Sequence, residues 1–204
     1  MLQAAGSFDT RKIIQGESAL SRLGLHLAEK MEKYSSMVQR LVSLSVKLIA
    51  VDFDLTIINI HTHGSWQFTS KALVSRVRPT FKHFLTAALK CSDLHVAVVT
   101  QSPQVSLVRE VLEKALPDCD TSVIHIRGSD GKWKELKGVS KEGKQQHIES
   151  VLRQIEKDQK IKIKSSQVIL LDDDQQNISV ARSCKMRALQ ITGDNSLDEL
   201  LEQR

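Results

Sequence analysis

Five short segments of the chain read as strand candidates, 46–52, 94–100, 121–127, 166–172 and 186–192, with 46–52, 94–100 and 166–172 the densest in Val, Ile, Leu and Ala. Apolar runs of this length, with few polar interruptions, suit strands covered on both faces. The stretches between them change period. Phe81, Phe84, Leu85 and Ala88 fall on one face of a helix over 79–90, opened by Pro79. Val105, Val108, Val111, Leu112 and Ala115 mark a second helix, with Ser102 as its cap and Pro103 in its first turn. Ile148, Val151, Leu152 and Ile155 mark a third over 142–158. Ser196 and Glu199 have the spacing of a capping box for a last helix.

Ahead of the first strand, Leu20, Leu23, Leu27 and Met31, then Met37, Leu41 and Leu44, predict one or two helices over 17–45. Residues 1–15 read as poorly ordered. Strand–helix alternation predicts an α/β, Rossmann-like three-layer sandwich around a mostly parallel five-stranded sheet with right-handed crossovers. Residues 1–45 form a helical extension packing on a core domain of residues 46–204. Segment 57–70 is too irregular for a long helix, and Gly64 offers a turn for a short hairpin.

The first strand runs straight into Asp52-Phe53-Asp54-Leu55-Thr56. In open α/β sheets the chemistry gathers at the carboxyl ends of strands. Two carboxylates this close repel unless a cation or a proton lies between them, and a hard divalent cation suits oxygen ligands. Three further elements follow: Thr100-Gln101-Ser102 at the end of the second strand, Lys141 and Lys144 at the start of a helix, and Asp172-Asp173-Asp174 closing an apolar strand, with Asn177 one turn on.

These four elements, in this order over residues 46–177, resemble the haloacid dehalogenase-like (HAD) hydrolase superfamily, most of whose members are aspartate-nucleophile phosphatases. Response-regulator receivers use similar groups, but their paired acids come early and their lysine last. The resemblance implies a HAD-like catalytic domain in which the first and fourth strands lie side by side, bringing Asp52 and Asp173 to one Mg²⁺.

It also implies roles. Asp52 is the nucleophile and a metal ligand. Asp54 is general acid and then base, and lends its backbone carbonyl to the metal. Thr100, with Gln101 beside it, binds the substrate phosphate. A lysine neutralises the phosphoryl group: Lys144, which opens the amphipathic helix, is preferred to Lys141. Asp173 completes the metal site as a ligand, helped by Asp172 from behind it or through water. Asp174 is the helix cap, and Asn177 either orients the acids or merely lies on the helix. His61 and His63 form an HxH pair without cysteine or further histidine nearby and read as loop residues rather than a metal site.

Residues 57–78 leave room only for a small flap, so the cap is small or absent and the site open. The implied activity is Mg²⁺-dependent phosphomonoester hydrolysis through an aspartyl-phosphate, on a macromolecular substrate such as a phosphoprotein. A nucleic-acid end phosphatase and a non-catalytic phosphate- or protein-binding module are the alternatives.

Composition changes this picture little. The net charge of +5 fits an anionic substrate without arguing for nucleic acid, although lysines cluster over 132–164. Three widely spaced cysteines, Cys91, Cys119 and Cys184, argue against a disulfide framework or structural zinc. No secretory segment or membrane-length apolar run is evident, so no membrane partner is expected and a cytoplasmic location is the default.

Overall fold

The computed structural model describes residues 10–202. Five parallel strands, β1 (Leu48–Val51), β2 (His95–Val99), β3 (His125–Arg127), β4 (Val168–Asp172) and β5 (Arg187–Gln190), form one sheet in the order β3-β2-β1-β4-β5. The helices are α1 (Thr10–Ser43), α2 (Ser70–Val74), α3 (Pro79–Leu89), α4 (Val105–Ala115), α5 (Gln145–Gln159), α6 (Gln175–Ser183) and α7 (Glu199–Glu202). The fold is the expected α/β sandwich.

The two-residue alternation of strand side chains divides the core in two. Ile49 and Val51 of β1, Val96 and Val98 of β2, and Ile169 and Leu171 of β4 face one layer, where α1, α3, α4 and α7 supply Met37, Leu41, Phe81, Phe84, Leu112 and Leu200. Leu48, Ala50, Ala97, Val99, Val168 and Leu170 face the other, against Ile148, Val151 and Ile155 of α5 and Ile178 of α6. This is why the central strands β1, β2 and β4 read as apolar at nearly every position. Each fully buried Leu, Ile or Phe contributes roughly 1.5–3 kcal/mol.

Several local expectations are corrected. Of the two options for 17–45 the structure has the first: residues up to Ser43 belong to one helix, α1, packed on α3. The predicted poor order over 1–15 falls partly on residues 1–9, outside the described residues, while 10–15 belong to α1. The side chains of Leu20, Leu23 and Leu27 also lie outside the described residues. Segment 121–127 begins as a 3₁₀ turn, Thr121–Val123, capped by Asp120, and only His125–Arg127 pairs as strand. The local Asp120–Ser122 hydrogen bonds outcompete a ladder there.

Ser102 does not cap α4 directly: its Oγ accepts the N–H of Gln104, the residue immediately before the helix begins at Val105. Ser196 Oγ accepts from Thr192 and Gly193 N–H, closing the turn before α7 rather than a capping box. Gly64 does sit at a turn, with φ +65°, but no hairpin strands flank it. The 57–78 segment is a flap carrying α2 and tied down by one antiparallel bridge, Ile58 to Val77.

Candidate active site

The sheet order puts β4 directly beside β1, in register from Leu48–Val168 to Val51–Leu171. Asp52 and Asp172 therefore leave the sheet at neighbouring positions on its carboxyl edge. Directly after Asp52 the chain makes one π-helical turn, Phe53–Ile57. Asp54 stays extended (φ −68°, ψ 137°) and Leu55 switches to the left-handed region at φ 56°. That conformation is unfavourable for a bulky side chain and persists only where the surroundings impose it. Here Leu55 N–H donates to Ile60 O, Ile58 N–H to Phe53 O, and Arg78 Nη2 to the Leu55 carbonyl at 3.2 Å, with Arg78 itself anchored by Asp194 at 2.6 Å.

The site is an open cleft of about 460 Å³. Asp52, Asp54, Thr100, Gln101, Lys144 and the three acids of 172–174 all line it. Carboxylate oxygens of Asp52, Asp172 and Asp173 lie within 4.8 Å of one another, the one such group of three or more acid, histidine or cysteine ligands among the described residues. Asp172 is fully buried. Its Oδ1 accepts from the Asp174 N–H and from Asn177 Nδ2 (2.9 Å), while its Oδ2 is buried without a partner. Asn177 thus orients an acid rather than merely riding on α6. Asp173 is half-buried, and Thr56 Oγ1 lies 3.3 Å from its Oδ1. Asp174 caps α6 through the Gln176 N–H.

Lys144 Nζ lies 2.6 Å from Asp52 Oδ1, with both side chains almost wholly buried. Lys141 is 73% exposed and pairs with Glu135 instead. Gly143, at φ +59° and against Val180, turns the chain so that Lys144 enters the cleft. Thr100 is buried and its Oγ1 accepts the Ser102 N–H; Gln101 is exposed at the rim.

Burial pushes the Asp52 carboxyl up to about 7, opposed by Lys144 and reinforced by Asp172. Burial also raises Asp172, against the pull of Lys144 and the hydrogen bond from Asn177. Three clustered acids, one of them with an unpartnered buried oxygen, carry more negative charge than a single lysine offsets. Hard oxygen donors in this arrangement fit a divalent cation.

Thr62, absent from any motif, is buried at the flap and donates to Asp54 from both its N–H and its hydroxyl. Nothing in its spacing distinguishes it from neighbouring loop residues. His61 and His63 stack at 4.3 Å, and His61 Nδ1 lies 2.9 Å from Asp54 Oδ2. The same nitrogen lies 2.9 Å from the His63 N–H, and it serves one or the other, since one ring nitrogen cannot donate and accept at once. Gln104 clamps the flap by accepting the Trp66 N–H and donating to the Trp66 carbonyl.

No protein-family model matches the chain, and no curated protein matches it. Solved structures do. The N-terminal part of protein BF1531 from Bacteroides fragilis, containing a phosphatase domain complexed with Mg, matches at TM-score 0.50 and 15% identity, over 76% of this chain and 40% of that one. The match thus spans about two fifths of the length of that structure. The HAD domain of effector protein Lem4 from Legionella pneumophila matches at TM-score 0.47 and 13% identity, over 77% of this chain and 92% of that one. An uncharacterized protein from Corynebacterium glutamicum matches at 0.44 and 15%, over 78% and 97%. In its strand order and the acids on its carboxyl edge, this chain shares the α/β fold of that Mg-complexed phosphatase domain.

Proposed function

We propose that the chain is a Mg²⁺-dependent phosphomonoesterase that works through an aspartyl-phosphate on Asp52. The observation that carries this reading is the convergence of Asp52, Asp172 and Asp173 with Lys144 Nζ 2.6 Å from Asp52, in one cleft at the strand ends. The carboxylates of Asp52, Asp172 and Asp173, with the Asp54 carbonyl, would hold the cation. When bound, it supplies charge neutralisation that lets a carboxylate meet an anionic phosphate. The unpartnered Oδ2 of Asp172 supports a direct ligand role for that residue.

Asp52 attacks phosphorus, and Lys144 offsets the charge that builds on the transferring group. Thr100 offers a hydroxyl to a phosphoryl oxygen. Asp54 gives a proton to the leaving oxygen and then takes one from the hydrolytic water. The small flap leaves the cleft open, which favours a substrate large enough to cover it, such as a phosphoprotein. A nucleic-acid end phosphatase is the second reading, favoured by exposed Lys132, Lys134 and Lys137 in the loop before Lys144. Steep loss of oligonucleotide turnover with added salt would select it.

The test is hydrolysis of a generic aryl phosphate and of a phosphopeptide panel, with and without Mg²⁺, by the wild type and by Asp52→Asn. Turnover requires Mg²⁺ and falls by about 10³-fold or more in the variant. Activity that survives the substitution rejects the mechanism. Tight binding of phosphate esters with no turnover by the wild type identifies a binding module instead.

A further inference from the structure

Four polar contacts converge on Asp54. The Thr62 N–H lies 3.0 Å from Oδ2, the Thr62 hydroxyl 2.7 Å from Oδ2 and 3.0 Å from Oδ1, and His61 Nδ1 2.9 Å from Oδ2. The carboxyl is mostly buried, and Thr62 is buried with it. A buried carboxyl left to itself would sample several side-chain torsions. Two donors on one residue, spaced to meet one carboxyl, restrict it to a single orientation. The loop that presents them is itself held: Gln104 binds both the N–H and the carbonyl of Trp66, and the Ser65 N–H closes a turn on the Thr62 carbonyl.

The contacts are unequal. Oδ2 meets the amide, the hydroxyl at its shorter distance, and the imidazole, whereas Oδ1 meets only the longer hydroxyl contact. An oxygen already accepting two donors is the poorer seat for a proton. The oxygen left to exchange one is Oδ1.

We propose that Thr62 is the positioning residue of this site: it locks the Asp54 carboxyl through Oδ2, so that Oδ1 is the oxygen that passes a proton to the leaving group. This rests on the phosphatase reading above. In the step concerned, the bond from phosphorus to the leaving oxygen breaks as the bond from Asp52 to phosphorus forms. The electron pair of the broken bond stays on the leaving oxygen, and the proton from Asp54 Oδ1 joins it. Asp54, now a carboxylate, is stabilised by the two Thr62 donors until it takes a proton from the water that opens the acyl phosphate.

A residue that acts through a general acid matters most where the leaving group needs the acid. Alkyl phosphates leave as strongly basic alkoxides, whereas p-nitrophenyl phosphate leaves as a stable phenolate. The experiment compares kcat/KM for a simple alkyl phosphate and for p-nitrophenyl phosphate in the wild type, Thr62→Val and Thr62→Ser. Thr62→Val keeps shape and the N–H but loses the hydroxyl. It lowers kcat/KM about 30-fold for the alkyl ester and less than about threefold for the aryl ester. Thr62→Ser recovers most of the loss, because its hydroxyl is kept.

Calorimetric Mg²⁺ titration and thermal melting of both variants separate positioning from damage: the Mg²⁺ affinity and the melting temperature of Thr62→Val stay close to wild type. Equal losses on the two esters, no loss on the alkyl ester, failure of Ser to recover it, or a loss that tracks weakened Mg²⁺ binding each overturn the proposal. Failure of the underlying reading shows separately, as wild-type protein that turns over neither ester, and it takes the proposal with it.

Discussion

Gly128 follows β3 directly and is buried against the loop that leaves β2. A Cβ built there would lie 2.4 Å from the Ser102 carbonyl oxygen and 2.6 Å from Val105 Cγ2. An ordinary contact is about 3.5 Å, so Gly128→Ala must push the Ser102 backbone away by about 1 Å. That backbone is not free to yield. The Ser102 carbonyl accepts the Ser129 N–H at 3.2 Å, and the Ser102 N–H donates to Thr100 Oγ1 at 3.1 Å. Overpacking of this kind costs about 1–3 kcal/mol, and a weakened hydrogen bond adds about 1 kcal/mol. The sum, about 3 kcal/mol, corresponds to a fall of about 6–12 °C in Tm for a chain of this length.

The loop that moves also carries Thr100 and Gln101, so activity falls more than stability alone accounts for. On the proposed function, in which Thr100 binds the phosphate, a displacement of about 1 Å there costs up to about 100-fold in kcat/KM. The assay is thermal melting by circular dichroism alongside aryl phosphate kinetics at a temperature where the variant is folded. Gly193→Ala, where the added Cβ meets nothing within 4 Å and φ is not in the left-handed region, is the control and shifts Tm little. If Gly128→Ala melts within about 2 °C of wild type with unaltered kinetics, the close approach has been misjudged.

Asp172→Asn, which removes the charge of the acid bearing the unpartnered oxygen, weakens Mg²⁺ binding about 100-fold in a calorimetric titration; an unaltered affinity would remove Asp172 from the metal site. Lys144→Met lowers kcat about 10³-fold, whereas Lys141→Met, whose lysine is exposed and paired with Glu135, changes it less than about twofold; kinetics on one phosphate ester decide between them. Burial, helped by Lys144, holds His147 down to about 4, so the unfolded chain takes up this proton first as the medium is acidified. Relative to His147→Leu, wild type therefore keeps constant stability above about pH 6.5 and loses up to about 1.4 kcal/mol per pH unit between there and pH 4. Urea unfolding of both proteins at pH 7.5 and pH 5 measures the difference, and a gap independent of pH refutes the assignment.

Much of the site is legible without coordinates because it is local. The run Leu48–Val51 followed by Asp52 and Asp54, and the run Val168–Leu171 followed by Asp172, carry strand pattern and acid together. Asp174 as a helix cap is a short-range fact of the same kind. The errors are local as well: Thr121–Val123 has β-branched residues but is turned by Asp120, and Ser196 serves the turn before it rather than the helix after it. In each, a side chain bonds to the backbone in a way that competes with the regular element, and propensity does not reveal which wins.

By itself, then, the sequence determined the layers of this protein, the strand ends that carry acids, and the order in which those ends arrive. Periodicity and covalent neighbourhood are properties of contiguous residues. Only tertiary structure decided that Asp52 meets Lys144 rather than Lys141, that Asp172 turns an unpartnered oxygen into the acid cluster, that Thr62 seizes Asp54, and that Gly128 has no room for a methyl group. Those are distances between groups on segments up to 120 residues apart, fixed by the placing of β4 beside β1 and by the folding of the flap over the strand ends. No pattern along the chain encodes such a distance, because it results from packing the whole core at once.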